Sequence, residues 1–98
     1  MAEVIWRDSA FDDIERIRLN IAQDSPKRAA DFVNRIFQAA ERLALFPRSG
    51  RLVPNLERPD VREIIVRPYR VIYRIDDDAV RIYGVRHGAQ RLNDIRGL

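Results

Sequence analysis

The chain has 98 residues, of which 46% are hydrophobic and 34% are charged. This length supports one domain, residues 1–98, and the composition is that of a folded protein rather than a disordered one. Cysteine is absent, which excludes disulfides and thiolate metal sites. No apolar run approaches the roughly 20 residues that cross a bilayer, and the N-terminus lacks the apolar stretch of a signal peptide. We therefore expect a cytoplasmic protein without membrane contact.

Positive charge is concentrated in the second half of the chain. The net charge is +3, but residues 1–47 carry seven basic and eight acidic side chains, whereas residues 48–98 carry eleven basic and seven acidic ones. Lys27 is the only lysine, so the other cations are arginines. Arginine binds phosphates and carboxylates through two parallel hydrogen bonds. We therefore expect an anionic partner to contact the second half of the chain.

The first half predicts a strand followed by two helices. Alternating apolar residues predict a short strand over Glu3–Arg7. Apolar residues at helical spacing then predict a helix over Ser9–Gln23, with a capping box between Ser9 and Asp12. Polar residues, Asp13 among them, are assigned to its other side. Ser25-Pro26 is typical of a second helix start, and this helix ends before Pro47. The short connection makes the two helices an antiparallel hairpin.

The second half predicts three consecutive strands, because β-branched and aromatic residues alternate with arginines. Their predicted bounds are Val61–Val66, Tyr69–Ile75 and Val80–Arg86. Arg67-Pro68 interrupts the first two strands, since proline has no N–H to donate. Asp76-Asp77-Asp78 is typical of a turn between the last two.

Two further segments have no predicted strand. The loop Pro47–Asp60 contains three of the five prolines, and loops of this length are often functional or fastened to a surface. Residues 88–98 are predicted as a short helix or a tail with Leu92 and Ile95 as the only anchors. The order β-α-α-β-β-β predicts an α+β fold in which the helical hairpin packs on one face of a small antiparallel sheet.

A two-residue turn at Asp77-Asp78 fixes the pairing of the last two strands. One face is then almost wholly apolar and should meet the helices. The other face, which we call the arginine face, carries Arg70, Arg74, Arg81, Tyr83 and His87. Because Arg74 lies directly opposite Arg81, and like charges in that position are destabilising, we expect an anionic partner to neutralise them.

The preceding strand contributes either Glu63 or Arg62 to the arginine face. A count around Arg67-Pro68 places Glu63 opposite Ile72, where it can pair with one of the arginines. A shift of one residue places Arg62 there instead, and the sequence leaves both registers open.

Neither a metal nor a cofactor is predicted. His87 is the only histidine, and no other potential ligand has metal-binding spacing with it. It follows a strand and precedes Gly88, so we expect it to be exposed. The three aspartates at 76–78 are interpreted as a solvated turn, and the glycines match no phosphate-binding loop.

Four segments, taken in order, are similar to one known family. They are VIWRDSAFDDI near the start, LALFPRSG after the second helix, the strand PYRVIYRI, and YGVRHGAQ after the last turn. They resemble the RelE/ParE superfamily, the toxins of type II toxin–antitoxin modules, over essentially the whole chain. The resemblance implies a compact basic toxin of plasmid stabilisation or growth arrest. A cognate antitoxin would wrap it, and it would reach operator DNA only through that antitoxin.

The resemblance leaves two targets open, the ribosome with its mRNA and DNA gyrase. RelE-like members cleave mRNA on the ribosome; Arg70 matches their phosphate-binding strand arginine and His87 their late histidine, with Tyr83 and Glu63 as further acid–base candidates. ParE-like members inhibit DNA gyrase without hydrolytic chemistry. A third interpretation is an inactive or regulatory relative that only binds its antitoxin. The candidates for target or antitoxin contacts are Arg62, Arg74, Arg81 and Arg86.

Overall fold

The computed structural model describes residues 1–98 and contains two α-helices and five strands. These are β1 (Glu3–Trp6), α1 (Asp8–Ala22), α2 (Pro26–Glu41), β2 (Arg51–Leu52), β3 (Val61–Val66), β4 (Tyr69–Asp76) and β5 (Ala79–His87). One turn of 3-10 helix, Arg42–Ala44, continues α2. All strands form one sheet in the order β1-β5-β4-β3-β2. The predicted α+β class is confirmed. Neither helix is long and apolar enough to cross a membrane.

The sheet is mixed rather than wholly antiparallel. β1 runs parallel to β5, with Glu3 beside Ala79 and Trp6 beside Ile82. β3, β4 and β5 pair antiparallel as predicted, and β2 also lies antiparallel to β3. β2 was not predicted, because a strand of two residues is too short to show alternation.

The two helix starts differ in how they are capped. Ser25 caps α2 as predicted: its hydroxyl accepts the Arg28 N–H at 3.1 Å, and Pro26 is the first helical residue. The capping box predicted for α1 is wrong, because Arg7 is the N-cap residue and makes no side-chain cap. Ser9 lies inside the helix and its hydroxyl donates to the Tyr83 carbonyl at 2.8 Å. It therefore fastens α1 to β5.

The main core lies between the helical hairpin and one face of the sheet. Its buried helix residues include Ile14, Ile17, Phe32 and Ile36, and its buried sheet residues include Val71, Tyr73, Val80, Ile82 and Val85. The Tyr73 hydroxyl donates to the Pro47 carbonyl at 2.7 Å and accepts the Gly50 N–H at 2.9 Å. This residue therefore holds the start of the long loop against the sheet.

The second face of the sheet is covered by the C-terminal residues 88–98, which we call the strap. The strap has turns but neither helix nor strand. Its apolar side chains pack on a second buried cluster from the sheet and the long loop; the strap and cluster residues are Leu92, Ile95, Leu98, Val53, Val61, Ile72 and Tyr83. The tail prediction and both predicted anchors are confirmed, with Leu98 as a third. The sequence suggested that the arginine face is exposed to solvent, whereas the strap covers it.

Candidate functional site

A β-bulge between β4 and β5 decides which side chains share the arginine face. Next to the turn, Arg74 pairs with Arg81 as predicted. Further along, Ile72 pairs with Gly84, which leaves Tyr83 as an extra residue in β5. Because each strand residue alternates between faces, one extra residue exchanges the faces of everything that follows it.

His87 consequently lies on the helix side of the sheet and not beside Arg70. It pairs with Tyr69, and their rings meet edge to face with centroids 5.6 Å apart. Tyr69 also contacts Phe32 of α2, at 5.2 Å between ring centroids. The predicted grouping of Arg70 with His87 on one face is therefore wrong, and the bulge is the physical reason. The predicted exposure of His87 is confirmed.

Glu63 forms a buried ion-pair centre on the arginine face. It lies opposite Ile72, so the first of the two predicted registers is correct. Its fully buried carboxylate accepts from Arg70 at 3.0 Å and from Arg51 at 2.5 Å. The other terminal nitrogen of Arg70 donates to the Gln90 carbonyl of the strap. Both ends of the Arg70 guanidinium are thus occupied.

Arg62 points to the other side of β3. Its guanidinium donates to the Gly50 carbonyl at 3.0 Å and to the Arg48 carbonyl at 3.3 Å. It therefore helps to hold the long loop and does not contribute to the arginine face.

Asp76 pairs with both of the arginines that were predicted to need an external anion. One carboxylate oxygen lies 3.4 Å from Arg74 Nη2 and 3.2 Å from Arg81 Nε. Asp76 is the last residue of β4, so the counter-charge belongs to the same hairpin. Part of the counter-charge that was expected from an anionic partner is therefore supplied within the hairpin.

Tyr83, the bulge residue, is almost completely buried beneath the strap. Its ring lies near two guanidinium groups, 4.6 Å from Arg7 and 5.1 Å from Arg74. In this arrangement the ring carries cation–π contacts. An acid–base role for its hydroxyl would require the strap to move.

Arg86 is buried against Asp13 of α1, a contact that the sequence did not predict. Arg86 and the Val85 N–H both donate to the same Asp13 oxygen. A β-carbon on Gly84 would lie 2.9 Å from that oxygen, so glycine leaves the space for the pair. Helical periodicity assigned Asp13 to the polar side of α1. In the structure its carboxylate instead accepts the Val85 N–H, in the part of β5 that β1 does not pair with.

An uncovered basic surface lies elsewhere, between α2 and β3. Two cavities of about 490 and 450 Å³ share Ala39, Arg42 and Ile65, and together they form what we call the basic groove. Its arginines are Arg35, Arg42, Arg51 and Arg67. Only Arg51 among these has an ion-pair partner.

The basic groove runs along a free strand edge. β2 pairs only with Arg62 and Glu63, so β3 has no neighbour beyond them. The Asp60 carbonyl accepts the Ile75 N–H at 2.8 Å, so the backbone groups of every second residue from Asp60 point towards β4. Ile65 belongs to the other set, and its N–H and C=O point outward, away from β4. Ile65 is 43% exposed and nearby Phe46 is 63% exposed. No group of three or more acidic or histidine side chains is placed to hold a metal ion.

The sequence matches one known protein family over most of its length. The model of the ParE toxin of type II toxin-antitoxin system, parDE, matches residues 4–92. The chain belongs to the ParE toxin family. The resemblance to RelE/ParE toxins is therefore confirmed, and the protein is the toxin of a type II toxin–antitoxin system.

Relatives of this ParE-family toxin carry both superfamily names. Toxin RelE2 of Caulobacter vibrioides is 37% identical over 92% of this chain and 99% of the relative. Toxin ParE3 of the same bacterium is 31% identical over 94% of this chain and 92% of the relative. The putative toxin Y4kP of Sinorhizobium fredii is 36% identical over 88% of each chain.

Two solved structures have the same fold as this ParE-family toxin. A chain of the chromosomal ParDE system from P. aeruginosa superposes with a TM-score of 0.74 at 21% identity, covering 89% of this chain and 96% of the other. A chain of the toxin–antitoxin complex RelBE2 from Mycobacterium tuberculosis gives a TM-score of 0.58 at 25% identity, covering 88% and 96%. The helical hairpin on a five-stranded sheet is thus the architecture of known toxins.

Proposed function

We propose that this toxin arrests growth by binding and inhibiting DNA gyrase in the cytoplasm, and not by cleaving mRNA. The observation that supports this is the separation of Arg70 from His87 onto opposite faces of the sheet. Cleavage of RNA needs a cation for the phosphate and an acid–base pair around the same phosphate. Arg70 is occupied by Glu63 and the strap, Tyr83 is covered, and His87 lies on the helix side. Binding to a protein target requires none of these groups to act together.

The experiment is expression without antitoxin, followed during arrest by measurement of mRNA integrity, plasmid supercoiling and DNA breaks. We expect intact mRNA with DNA breaks or altered supercoiling, and the same arrest in His87→Ala, because His87 does no chemistry. Purified gyrase should lose supercoiling activity when the toxin is added. Rapid mRNA cleavage that is lost in Arg70→Ala and blunted in His87→Ala would instead establish an endoribonuclease. The absence of any arrest would identify a relative that only binds its antitoxin.

We infer that a cognate antitoxin neutralises the toxin by docking in the basic groove. The groove combines three unpaired arginines, an apolar floor and the free edge of β3. An acidic, extended segment with alternating apolar residues fits all three features, because it can add a strand to the edge and pair with the arginines. The arginine face is a poorer candidate, since Asp76 already pairs with Arg74 and Arg81 and the strap packs on the apolar residues and Tyr83 beside them.

A further inference from the structure

β1 forms one edge of the sheet and carries hydrogen-bonding groups that no other part of the chain uses. It pairs with β5 on one side only. The N–H groups of Glu3 and Arg7 each donate at 3.0 Å to a carbonyl of β5 or of the residue before it. Because backbone groups alternate between the two sides of a strand, the N–H and C=O groups of Val4 and Trp6 point away from β5. These outward groups have no hydrogen-bond partner within the chain.

The chain closes this edge at both ends of β1. At the start, the Ala2 N–H points to the same outer side and donates to the Ala44 carbonyl at 2.7 Å. At the other end, α1 begins at Asp8. The open part of the edge is therefore Glu3–Arg7. It contains neither a proline nor a bulge, two features that keep edge strands from pairing with other chains.

The sequence of the open edge is complementary to itself when one copy runs in the opposite direction. It reads EVIWR, with an acidic residue at one end, a basic residue at the other and three apolar residues between them. Glu3 and Arg7 are both exposed, and neither forms an ion pair within the chain. Both charges are therefore available to a molecule that pairs with this edge.

We propose that the open edge binds a second copy of the chain, with the two β1 strands antiparallel about a two-fold axis at Ile5. In this register Glu3 lies opposite Arg7 of the second copy, and Val4 lies opposite its Trp6. The outward groups of Val4 and Trp6 are then all hydrogen-bonded, because the two residues of such a pair exchange both bonds. Opposite charges directly across two strands stabilise the pair, and a self-complementary patch is what a two-fold dimer requires.

A second copy fits this edge better than a segment with charges of one sign. Glu3 and Arg7 are four residues apart, about 13 Å along the strand. A uniformly acidic segment would place a like charge opposite Glu3, and a uniformly basic one would do so opposite Arg7. The two-fold axis also places the helices of both copies on the same side of the joined sheet. Phe11 of α1 is 45% exposed there and stacks on Trp6, so the second copy adjoins an apolar surface.

Pairing through β1 leaves the basic groove free. β1 and β2 are the outer strands of the sheet, so the groove beside β3 lies towards the opposite edge. The dimer would therefore have one continuous sheet with a basic groove near each end. The inference goes beyond the proposed binding of gyrase and of an antitoxin, because it concerns a different surface and can be tested without either partner.

Sedimentation equilibrium of the purified toxin tests the proposal. The protein concentration extends to about 1 mM, because a small interface gives a weak dimer. The mass should rise with concentration from the 11.5 kDa of one chain towards twice that value. Glu3→Arg and Arg7→Glu should each weaken the dimer by at least about tenfold, because like charges then face each other at both ends of the strand pair.

Mixing these two variants separates the pairing from a general loss of stability. In a mixed dimer of one Glu3→Arg chain and one Arg7→Glu chain, opposite charges again face each other at both ends, so the wild-type affinity should return. Asp24→Arg and Arg28→Glu make the same changes at exposed positions near the connection between the helices, and each should dimerise as wild type does. A wild-type chain that stays monomeric, single variants that dimerise normally, or a mixture that stays monomeric would each overturn the proposal.

Hydrogen exchange of the wild-type chain provides a test that needs no variant. The amides of Val4 and Trp6 should exchange more slowly as the protein concentration rises, because the second copy accepts their hydrogen bonds. The Ile65 amide is the control, since it also points outward from an edge strand but lies on β3. Its exchange should not depend on concentration. Slower exchange of Ile65 with unchanged exchange of Val4 and Trp6 would show pairing through β3 and would overturn the proposal.

Discussion

Tyr73 shows how one side chain can fasten a loop that has little structure of its own. The residue is fully buried, and alternation along the strand predicted that it faces the core. Its hydroxyl partners, Pro47 and Gly50, could not be predicted, because they lie more than 20 positions away in a loop without periodicity. Gly50 cannot be replaced by a larger residue without a shift, since a β-carbon there would lie 2.5 Å from the Tyr73 hydroxyl oxygen.

We expect Tyr73→Phe to lower the free energy of unfolding by about 1–3 kcal/mol, because it leaves a buried N–H and a carbonyl without their partner. Urea unfolding at pH 7 measures the change. Tyr69→Phe is the matched control, since the Tyr69 hydroxyl makes no hydrogen bond within the chain and its removal should change stability little. Equal losses in the two variants would argue against the loop contact.

The difference in stability between wild type and Tyr73→Phe should depend on pH. Burial raises the pKa of Tyr73 above its ordinary value of 10.0. The neutral phenol is therefore favoured by folding, and its contribution to stability is complete below the unfolded pKa and declines as pH rises through the folded one. Wild type should lose stability above about pH 10 more steeply than Tyr73→Phe. Parallel stability curves for the two proteins would contradict this account.

At the scale of elements, periodicity predicted both helices and all three strands of the meander, because each has a regular apolar repeat. The register that β3 adopts against β4 was one of the two that followed from a count across Arg67-Pro68. The bulge at Tyr83 did not, since a count from the turn assumes one residue opposite one. This single irregularity moved His87 away from Arg70, and most of the predicted catalytic grouping depended on it.

Gly84 lies next to the bulge residue Tyr83 and against the buried pair of Asp13 and Arg86, which gives a prediction at this scale. Gly84→Ala should destabilise the domain by about 2 kcal/mol, because its methyl group would crowd the buried pair of Asp13 and Arg86. Thermal unfolding measures the loss. Gly88→Ala is the control, because its nearest neighbour would be the Pro68 carbonyl at 3.5 Å, an ordinary contact. If both variants unfolded at the wild-type temperature, the close packing at Gly84 would be refuted.

At the scale of the whole molecule, the number of arginines can be read from the sequence, but which of them pair with carboxylates cannot. Glu63, Asp76 and Asp13 each hold two arginines, and they come from three separate elements. Pairing of this kind depends on tertiary structure, so it leaves no pattern in the chain. The result is a division of the surface: Arg70, Arg74 and Arg81 of the sheet face have carboxylate partners within the chain, whereas Arg35, Arg42 and Arg67 in the groove beside α2 have none.

This division predicts where the antitoxin loses affinity when charge is removed. Arg35→Gln with Arg42→Gln and Arg67→Gln should weaken binding of the cognate antitoxin by at least about tenfold, because each arginine lacks an internal partner and is free for an acidic one. Arg74→Gln with Arg81→Gln is the matched control, in which Asp76 loses its own pairs and the antitoxin should lose little. Isothermal titration calorimetry at two salt concentrations measures both, and the groove variant should also show the weaker salt dependence. If the control variant lost the affinity and the groove variant kept it, the antitoxin would dock on the sheet face and the strap would have to move to admit it.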